Sequence, residues 1–479
     1  MTIDALEAIL LIPAFSAALL AILPGYPLTA KLNVVAALAT FLTSLLLFVI
    51  EPTSGQYLLL DDLNKVFIVL TTFVGFTASV FSASYIHHEI EIGRLTPAFL
   101  RFYHAMYQVL MFAMNLALIA NNIGLMWVAV EMATLTTVLM VGIYRTHEAL
   151  EAAWKYFILG SVGIALALFG TILVYMAARP VVGEGMDGMV WTVLVKHAAQ
   201  FDPALLNVAF VFLLLGYGTK VGLAPLHAWL PDAHAEGPTP ISAVLSGLLL
   251  NVALYALLRF KLMLAVNPAA ITPGPLMVTM GLISVIFAAL MLYRRRDIKR
   301  MFAYSSIEHM GIIVFAFGMG GPLANFAGLL HMTMHSLTKS AIFFAVGHIA
   351  QVKSTQKIAD IGGLTVTNPA LGWSLMLGVI AIVGLPPLGI FMSEFLVVSS
   401  TFARAPWLTV ILVLGIIIAL GGLFLRIGPV MFGEPKGNTA PAEASYVPMF
   451  THLGLVLMAG IYLPPVLVNS FQNVAKLLG

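Results

Sequence analysis

The sequence predicts an all-α polytopic membrane protein with about fourteen transmembrane helices. Three observations predict it. Hydrophobic residues fill 61% of the 479 positions and charged residues only 9%, against about 25% charged in soluble domains. Apolar runs of about 20 residues, the length that spans a bilayer, recur along the whole chain. The connections between them are short.

The runs fall at roughly 4–23, 31–50, 62–86, 103–121, 123–143, 153–177, 204–225, 238–262, 275–294, 302–320, 323–350, 370–396, 406–430 and 446–468. Asp4 and Glu7 stand where a cleavable signal would be basic, so the first run is read as a retained helix. The longer connection at about 178–203 is expected to hold a small interfacial helix near Val190 to Ala199. Trp127, Trp154, Trp191 and Trp229 are read as packing or interface anchors.

Composition excludes several function classes. With no cysteine, the chain has no thiolate for an iron–sulfur cluster, no disulfide and no thiol nucleophile. No glycine-rich phosphate loop follows a strand pattern. A net charge of +2 gives no nucleic-acid footprint. No cofactor is expected in this chain, so any redox chemistry belongs to partners.

Lys and Arg set the expected orientation. One set of connections carries Lys31, Arg94, Arg101, Arg145, Lys155, the Arg294, Arg295, Arg296, Lys299 and Arg300 cluster, Lys353, Lys357, Arg426 and Lys436. The other carries Lys65, Arg179, Lys196, Arg259, Lys261, Arg404 and Lys476. The first set is twice as large and is placed in the cytoplasm, which leaves both termini outside.

The stretch from Phe210 to Pro240 breaks the rules of a membrane helix. Lys220 is the only charged residue between Asp202 and Asp232, with Gly216, Gly218, Gly222 and Pro225 around it. A lysine near mid-bilayer costs roughly 2.5–3.5 kcal/mol, and a loosened helix is tolerated only inside protein or beside a wet cavity. The stretch has an echo. Val221 to Leu226 reads VGLAPL and Val383 to Leu388 reads VGLPPL, 162 residues later. Pro225 and Pro387 occupy the same place in the two. Paired broken helices in two halves point to a transport site. The two segments are five helices apart, and an odd shift reverses direction across the membrane, so the repeat is expected to be inverted.

Four charges stand alone in apolar surroundings: Glu131, Lys220, Lys339 and Glu394. Unpaired, they would cost on the order of 10 kcal/mol together. They must pair, neutralise or line water. At about 4 Å and an effective dielectric near 20, a carboxylate stabilises an ammonium by on the order of 4 kcal/mol. Moving Glu131 toward or away from Lys220 would therefore switch that lysine between holding and releasing a proton.

The helix at 323–350 adds polar groups. His331, His335 and Lys339 recur every four residues and share one face over about 12 Å. A proton relay and structural hydrogen bonding are both open readings. A metal site is a third, but no carboxylate completes it locally and Lys339 repels a cation, so no metal is expected. Asn251 is read as an interhelical hydrogen bond. His227 follows Lys220 and either guards an exit or binds water, as does His234. Glu308 and His309 are open to a structural role. Lys155 is expected to snorkel or to reach Glu131.

The lone Glu131, the segment TKVGLAPLHAWLPDAHAEGPTPISA, the AYSS start of the tenth helix and HMTMHSLTKS resemble the antiporter-like membrane subunits of respiratory complex I, multisubunit cation/proton antiporters and energy-converting hydrogenases. YSSIEHMG and LSGLLLNVALYALLRF are most similar to the hydrogenase-4 branch of that group, a formate-hydrogenlyase type. The resemblance runs through all fourteen helices. It implies three leading helices (1–100), a first five-helix unit (101–262), an inverted second unit (263–430) and a last helix (431–479). It implies a proton path in which Glu131 and Lys220 form the first pair, Lys339 the connector, His331 and His335 relay positions, and Glu394 the terminal group. It implies partners: other membrane subunits and a peripheral hydrogenase or quinone-reductase arm in a prokaryotic inner membrane. One departure is Asn251, where many relatives have Lys. The competing expectations are a quinone-reductase subunit, a sodium/proton antiporter module and a non-pumping scaffold.

Overall fold

The computed structural model describes residues 4–50, 55–438 and 445–479. Helix occupies each expected run. The order begins with α1 (Ala5–Ile22), α2 (Tyr26–Leu45), α3 (Asp62–Glu91), α4 (Pro97–Ile119), α5 (Ile123–Val141) and α6 (His147–Val182). The short α7 (Trp191–His197) precedes α8 (Pro203–Val221). After a break come α9 (Leu230–Glu236), α10 (Thr239–Val244), a π turn (Leu245–Leu249) and α11 (Leu250–Ala265), the last three running on as one segment. Then follow α12 (Gly274–Leu292), α13 (Ile298–Met319), α14 (Pro322–Lys353), α15 (Leu364–Thr367) and α16 (Pro369–Ile382). A second break leads to α17 (Gly389–Arg404), α18 (Pro406–Phe432), α19 (Tyr446–Ile461) and α20 (Pro465–Leu477). No strand of more than an isolated bridge occurs among the described residues.

Local chemistry fixes the ends. Asp61, Asn122, Thr146, Asp202 and Asp297 each accept a hydrogen bond from the first turn of the helix they precede. Asp4 and Glu7 form a capping box on α1, which is the local work these two acids do at the start of an apolar helix.

Among the described residues, eleven helices are long and apolar enough to cross a membrane, or twelve when α19 and α20, bent by 76°, count as one. The sequence suggests fourteen. The shortfall has two causes. α14 is 32 residues long but too polar to pass on composition, and the run at 370–396 is split into α16 and α17.

The apolar windows of the segment Thr239–Ala265 and of α13 are wholly enclosed, whereas α1, α2 and α18 bury a third of theirs or less. The polar groups of α10, α11 and α13 therefore face protein, not lipid. α12 and α13 touch backbone to backbone. A Cβ on Gly281 or on Gly311 would lie 2.7 Å from the other's carbonyl oxygen, the close approach that small residues permit between membrane helices.

The two breaks share one backbone design. Gly222 (φ 81°) and Gly384 (φ 70°) take the left-handed conformation after α8 and α16. Leu223 N–H donates to Gly218 C=O at 2.9 Å, and Leu385 N–H donates to Ile380 C=O at 3.2 Å, the closing bond of a Schellman end. The Ala224–Pro225 and Pro386–Pro387 bonds are both cis. The sequence echo is thus a structural repeat, bond for bond.

Two cations depart from expectation. Arg259 and Lys261 are expected on outer connections, but both are buried in α11. Arg259 grips Asp61 with two hydrogen bonds of 2.5 and 2.9 Å, donates to Tyr255 Oη at 2.8 Å and stacks over Trp191 at 4.3 Å. Tyr255 in turn donates to Leu118 C=O at 2.6 Å. The cluster ties α3, α4, α7 and α11 together. Lys261 donates to Leu478 C=O at 3.2 Å. A charge four residues from a helix end reads in sequence as a loop charge, and only the fold supplies its partner.

Burial alone would raise the Asp61 carboxyl, but Arg259 and the N–H groups of Asn64 and Leu63 outweigh it and hold it below the ordinary carboxylate range. Its contribution is fully present above the unfolded value of about 3.9 and is lost as pH falls through the lower folded value. Arg259→Ala is expected to destabilise the detergent-solubilised protein by on the order of 3 kcal/mol, because it strands a partly buried carboxylate. Thermal unfolding at neutral pH reads this out. Arg259→Ala should lose more than Asp61→Asn,Arg259→Met, which removes both charges.

Candidate ion-path site

Lys220 sits on the last turn of α8, where the helix stops, and is 1% exposed. Its Nζ donates to Thr134 Oγ1 at 2.8 Å and lies 3.7 Å from Glu131 Oε2. Thr134 Oγ1 donates to Val130 C=O at 3.0 Å, so its free lone pairs face the ammonium. Glu131 and Thr134 are one turn apart on α5. The ammonium is therefore held by a neutral hydroxyl, with the carboxylate in ion-pair contact beyond it. Glu131 Oε2 is buried without a hydrogen bond. Gly160 on α6 makes the space: a Cβ there would lie 2.9 Å from Lys220 Nζ.

The break that positions Lys220 is satisfied from outside α8. Trp229 Nε1 donates to Thr219 C=O at 2.8 Å, and its ring stacks on Tyr156 at 4.2 Å. Ala224 N–H donates to Ser284 Oγ at 2.9 Å. Trp229 is thus a cap for the broken end rather than an interface anchor. Pro225 forms the turn itself. His227 packs its ring 4.7 Å from Phe287, with Nδ1 buried and unpartnered.

Lys155 does not reach Glu131. Its Nζ pairs with Glu151 at 2.6 Å and Asp232 at 3.1 Å. Arg300 reaches the same Asp232 at 3.3 Å and Glu236 at 3.2 Å. This network joins α6, α9 and α13 at the end of the first break.

Between the two halves, Asn251 is the interhelical bond the sequence suggests. Its Nδ2 donates to Ser336 Oγ on α14 at 2.7 Å and to Gly247 C=O at 2.9 Å. Its Oδ1 is buried without a partner. The Gly247 carbonyl belongs to the π turn, a feature frequent at functional sites. His234 is fully buried, stacked on Phe343 at 4.9 Å, with both ring nitrogens unpartnered. Lys339 is fully buried. Its Nζ donates to Phe302 C=O at 2.8 Å and lies 5.5 Å over the Phe302 ring. Among the described residues no carboxylate pairs with it.

In the second half, three helices bring their polar groups to one place. His309 Nδ1 on α13 lies 2.9 Å from His331 Nε2 on α14, and His331 Nδ1 lies 2.9 Å from Ser393 Oγ on α17. Ser393 Oγ donates to Ile390 C=O at 2.8 Å. With the hydroxyl proton used there, Ser393 accepts from His331 Nδ1–H, which leaves the neutral His331 with Nε2 as an acceptor facing His309 Nδ1. The three groups form a directional wire. Glu394, beside Ser393, places a carboxylate oxygen within 4.8 Å of ligand atoms of both histidines. Glu308 Oε2 lies 3.9 Å from His309 Nε2. The His335 ring lies 5.5 Å from that of His309, its nitrogens unpartnered. A Cβ on Gly384 would collide with the Glu394 carboxylate, so the glycine of the second break makes room for this acid. Pro387 lies in the same turn.

Two sequence readings change. The metal alternative fails in sequence for want of a carboxylate near His331, but α17 supplies Glu394. His309 and Glu308 are open to a structural role in sequence, but they stand in the cluster. Thr134, Gly160, Ser393 and the room made by Gly384 emerge only from the packing of other helices against the lone charges.

The fold agrees with comparisons to known proteins. Residues 120–419 match the family described as NADH:quinone oxidoreductase/Mrp antiporter, TM. The chain is 63% identical over 471 residues to the hydrogenase-4 component F homolog of Methylacidiphilum infernorum, covering 98% of this chain and 99% of that protein. In fold it is similar to a chain of the archaeal membrane-bound sulfane sulfur reductase (TM-score 0.86, 23% identity, 99% and 97% covered). It is similar also to a chain of respiratory complex I from Thermus thermophilus (TM-score 0.81, 24% identity, 99% and 100% covered). The chain is an antiporter-like, multi-span membrane subunit and belongs to the NADH:quinone oxidoreductase/Mrp antiporter family.

Proposed function

We propose that the chain translocates protons as the antiporter-like subunit of a redox-driven complex of hydrogenase-4 or formate-hydrogenlyase type. It works with other membrane subunits and a peripheral redox arm in a prokaryotic inner membrane, with both termini on the outer side. Protons pass along Glu131, Lys220, Lys339, His335, His331 and Glu394, and electrons stay in the partners. The 63% identity to a hydrogenase-4 component F homolog supports the choice of complex.

The Lys220 contact carries the mechanism. The ammonium rests on Thr134 at 2.8 Å and stops 3.7 Å short of Glu131. Two acceptors lie within one short swing, one neutral and one anionic. At this separation and an effective dielectric near 20, the ion pair is worth on the order of 4 kcal/mol. Drawing Glu131 closer retains the proton on Lys220, and withdrawing it releases the proton inward. Asn251 does not interrupt the axis. Its unpaired Oδ1 takes a water that joins the first half to Ser336 and Lys339. Such a water needs polar partners, and this site has them.

Lys220→Ala in the intact complex, reconstituted in vesicles, is expected to abolish proton uptake while electron transfer by the redox arm persists. Uptake at the wild-type ratio of protons to electrons would defeat the path. Thr134→Val is expected to lower the rate rather than abolish it, because Glu131 remains.

Purification from native membranes in mild detergent is expected to bring a nickel–iron hydrogenase large subunit and iron–sulfur proteins with the chain. Mass spectrometry finding quinone-reductase or cation-antiporter subunits in their place would move the chain to another complex of the same family.

A further inference from the structure

We infer that His309, His331 and Glu394 form a binding site for a divalent transition-metal ion of the zinc type, seated where the two imidazoles now share a proton. The inference rests on the placement of ligand atoms, two of which, on His331 and Glu394, also stand on the proposed proton path.

One ligand atom from each residue lies within 4.8 Å of the others, and all three residues are buried. Zinc takes histidine nitrogen at about 2.0–2.1 Å and carboxylate oxygen at about 2.0–2.2 Å. Side-chain movement must open the 2.9 Å gap between the two imidazole nitrogens and draw in the carboxylate. Three helices, α13, α14 and α17, contribute one ligand each.

The surroundings carry the marks of a ligand set. Metal-ligating histidines have their other ring nitrogen fixed by a hydrogen-bond partner. Here His331 presents Nε2 to the centre while Nδ1 is held by Ser393 at 2.9 Å. His309 presents Nδ1 to the centre while Nε2 faces Glu308 at 3.9 Å. Metal binding moves the His309 proton from Nδ1 to Nε2, toward that carboxylate, and a ligating Glu394 gives up to solvent the proton it carries when neutral. Once ionised, Glu394 as ligand and Glu308 behind His309 offset the two charges of the ion. His335, buried with both ring nitrogens unpartnered, has its ring 5.5 Å from that of His309. Lys339 lies two helical turns from His331 along α14, about 12 Å away along the axis. Its charge nonetheless acts on His309 and so opposes the ion.

The ion would sit across the His309–His331 hydrogen bond, so it would block any proton passing there. The test uses the intact complex in mild detergent, titrated with Zn2+ alone and desalted, with retained zinc counted by mass spectrometry. The wild type is expected to hold one more zinc per chain than His331→Gln or Glu394→Gln. Ser393→Ala, which keeps all three ligands, should weaken binding by about 10–100-fold. Co2+ in place of Zn2+ should give visible absorption that His331→Gln removes. Equal zinc retention and an unchanged Co2+ spectrum in wild type and all three variants would overturn the site. If the ligand variants do not assemble, Ser393→Ala decides alone: unaltered affinity overturns it. Zinc retained at the site without loss of proton uptake would leave the metal site standing and remove His331 from the path.

Discussion

The structure depends on two helices that stop inside the bundle. A helix end exposes carbonyls that hydrocarbon cannot satisfy, so each break must be closed by other parts of the chain. Trp229 closes the end of α8 by donating to Thr219 C=O, and Ser284 takes the N–H of Ala224. These bonds come from the loop and from α12, so the break and its neighbours are a single unit. Lys220 can be buried on the last turn of α8 because the same arrangement leaves Gly160 opposite it. A lysine there without that glycine would lack space, and without Thr134 and Glu131 it would lack acceptors.

The two halves repeat the break but not the charge. The 162-residue offset that aligns Val221 with Val383 also aligns Asp232 with Glu394. Lys220 therefore precedes its break, and Glu394 follows the other. In the first half the residue after the break, Asp232, lies in a network with Lys155 and Arg300. In the second half the matching residue is buried beside two histidines. The same backbone thus presents an ammonium on one side of one break and a carboxylate on the far side of the other. On the proposed path, direction would arise from that asymmetry, since equal charges in equal places would define none.

The sequence made the fold class and the four lone charges legible because both rest on large costs. An apolar run of 20 residues has few other uses, and an isolated charge within it needs a reason. The breaks were legible through Gly222, Pro225, Gly384 and Pro387, whose backbone demands are local. Partners were not legible. Thr134 lies three residues from Glu131 but matters only because α8 packs Lys220 against it. Arg259 and Lys261 read as loop charges because sequence does not show Asp61 and the Leu478 carbonyl folding over them. Lys155 had a plausible target in Glu131 and a nearer one in Asp232, which only the turn after α8 brings into reach. His309 was visible as a residue and invisible as a neighbour of His331, since α13 and α14 meet through tertiary packing alone.

The His309–His331–Ser393 wire gives the last step. Its hydrogens all point one way, and it ends on the Ile390 carbonyl, which cannot pass a proton on. In this arrangement the wire holds a proton and does not conduct. Conduction requires Ser393 to release Ile390 and turn its hydroxyl, or Glu394 to take the proton from His331 directly. Ile390, Ser393 and Glu394 all lie on the first turns of α17, just beyond the second break. A small movement of that half-helix would alter both routes at once, while α13 and α14 stayed fixed in the enclosed centre of the bundle. On the proposed proton path, the break in the second half is therefore the element placed to gate the cluster, as the break in the first half is placed to set the distance from Lys220 to Glu131.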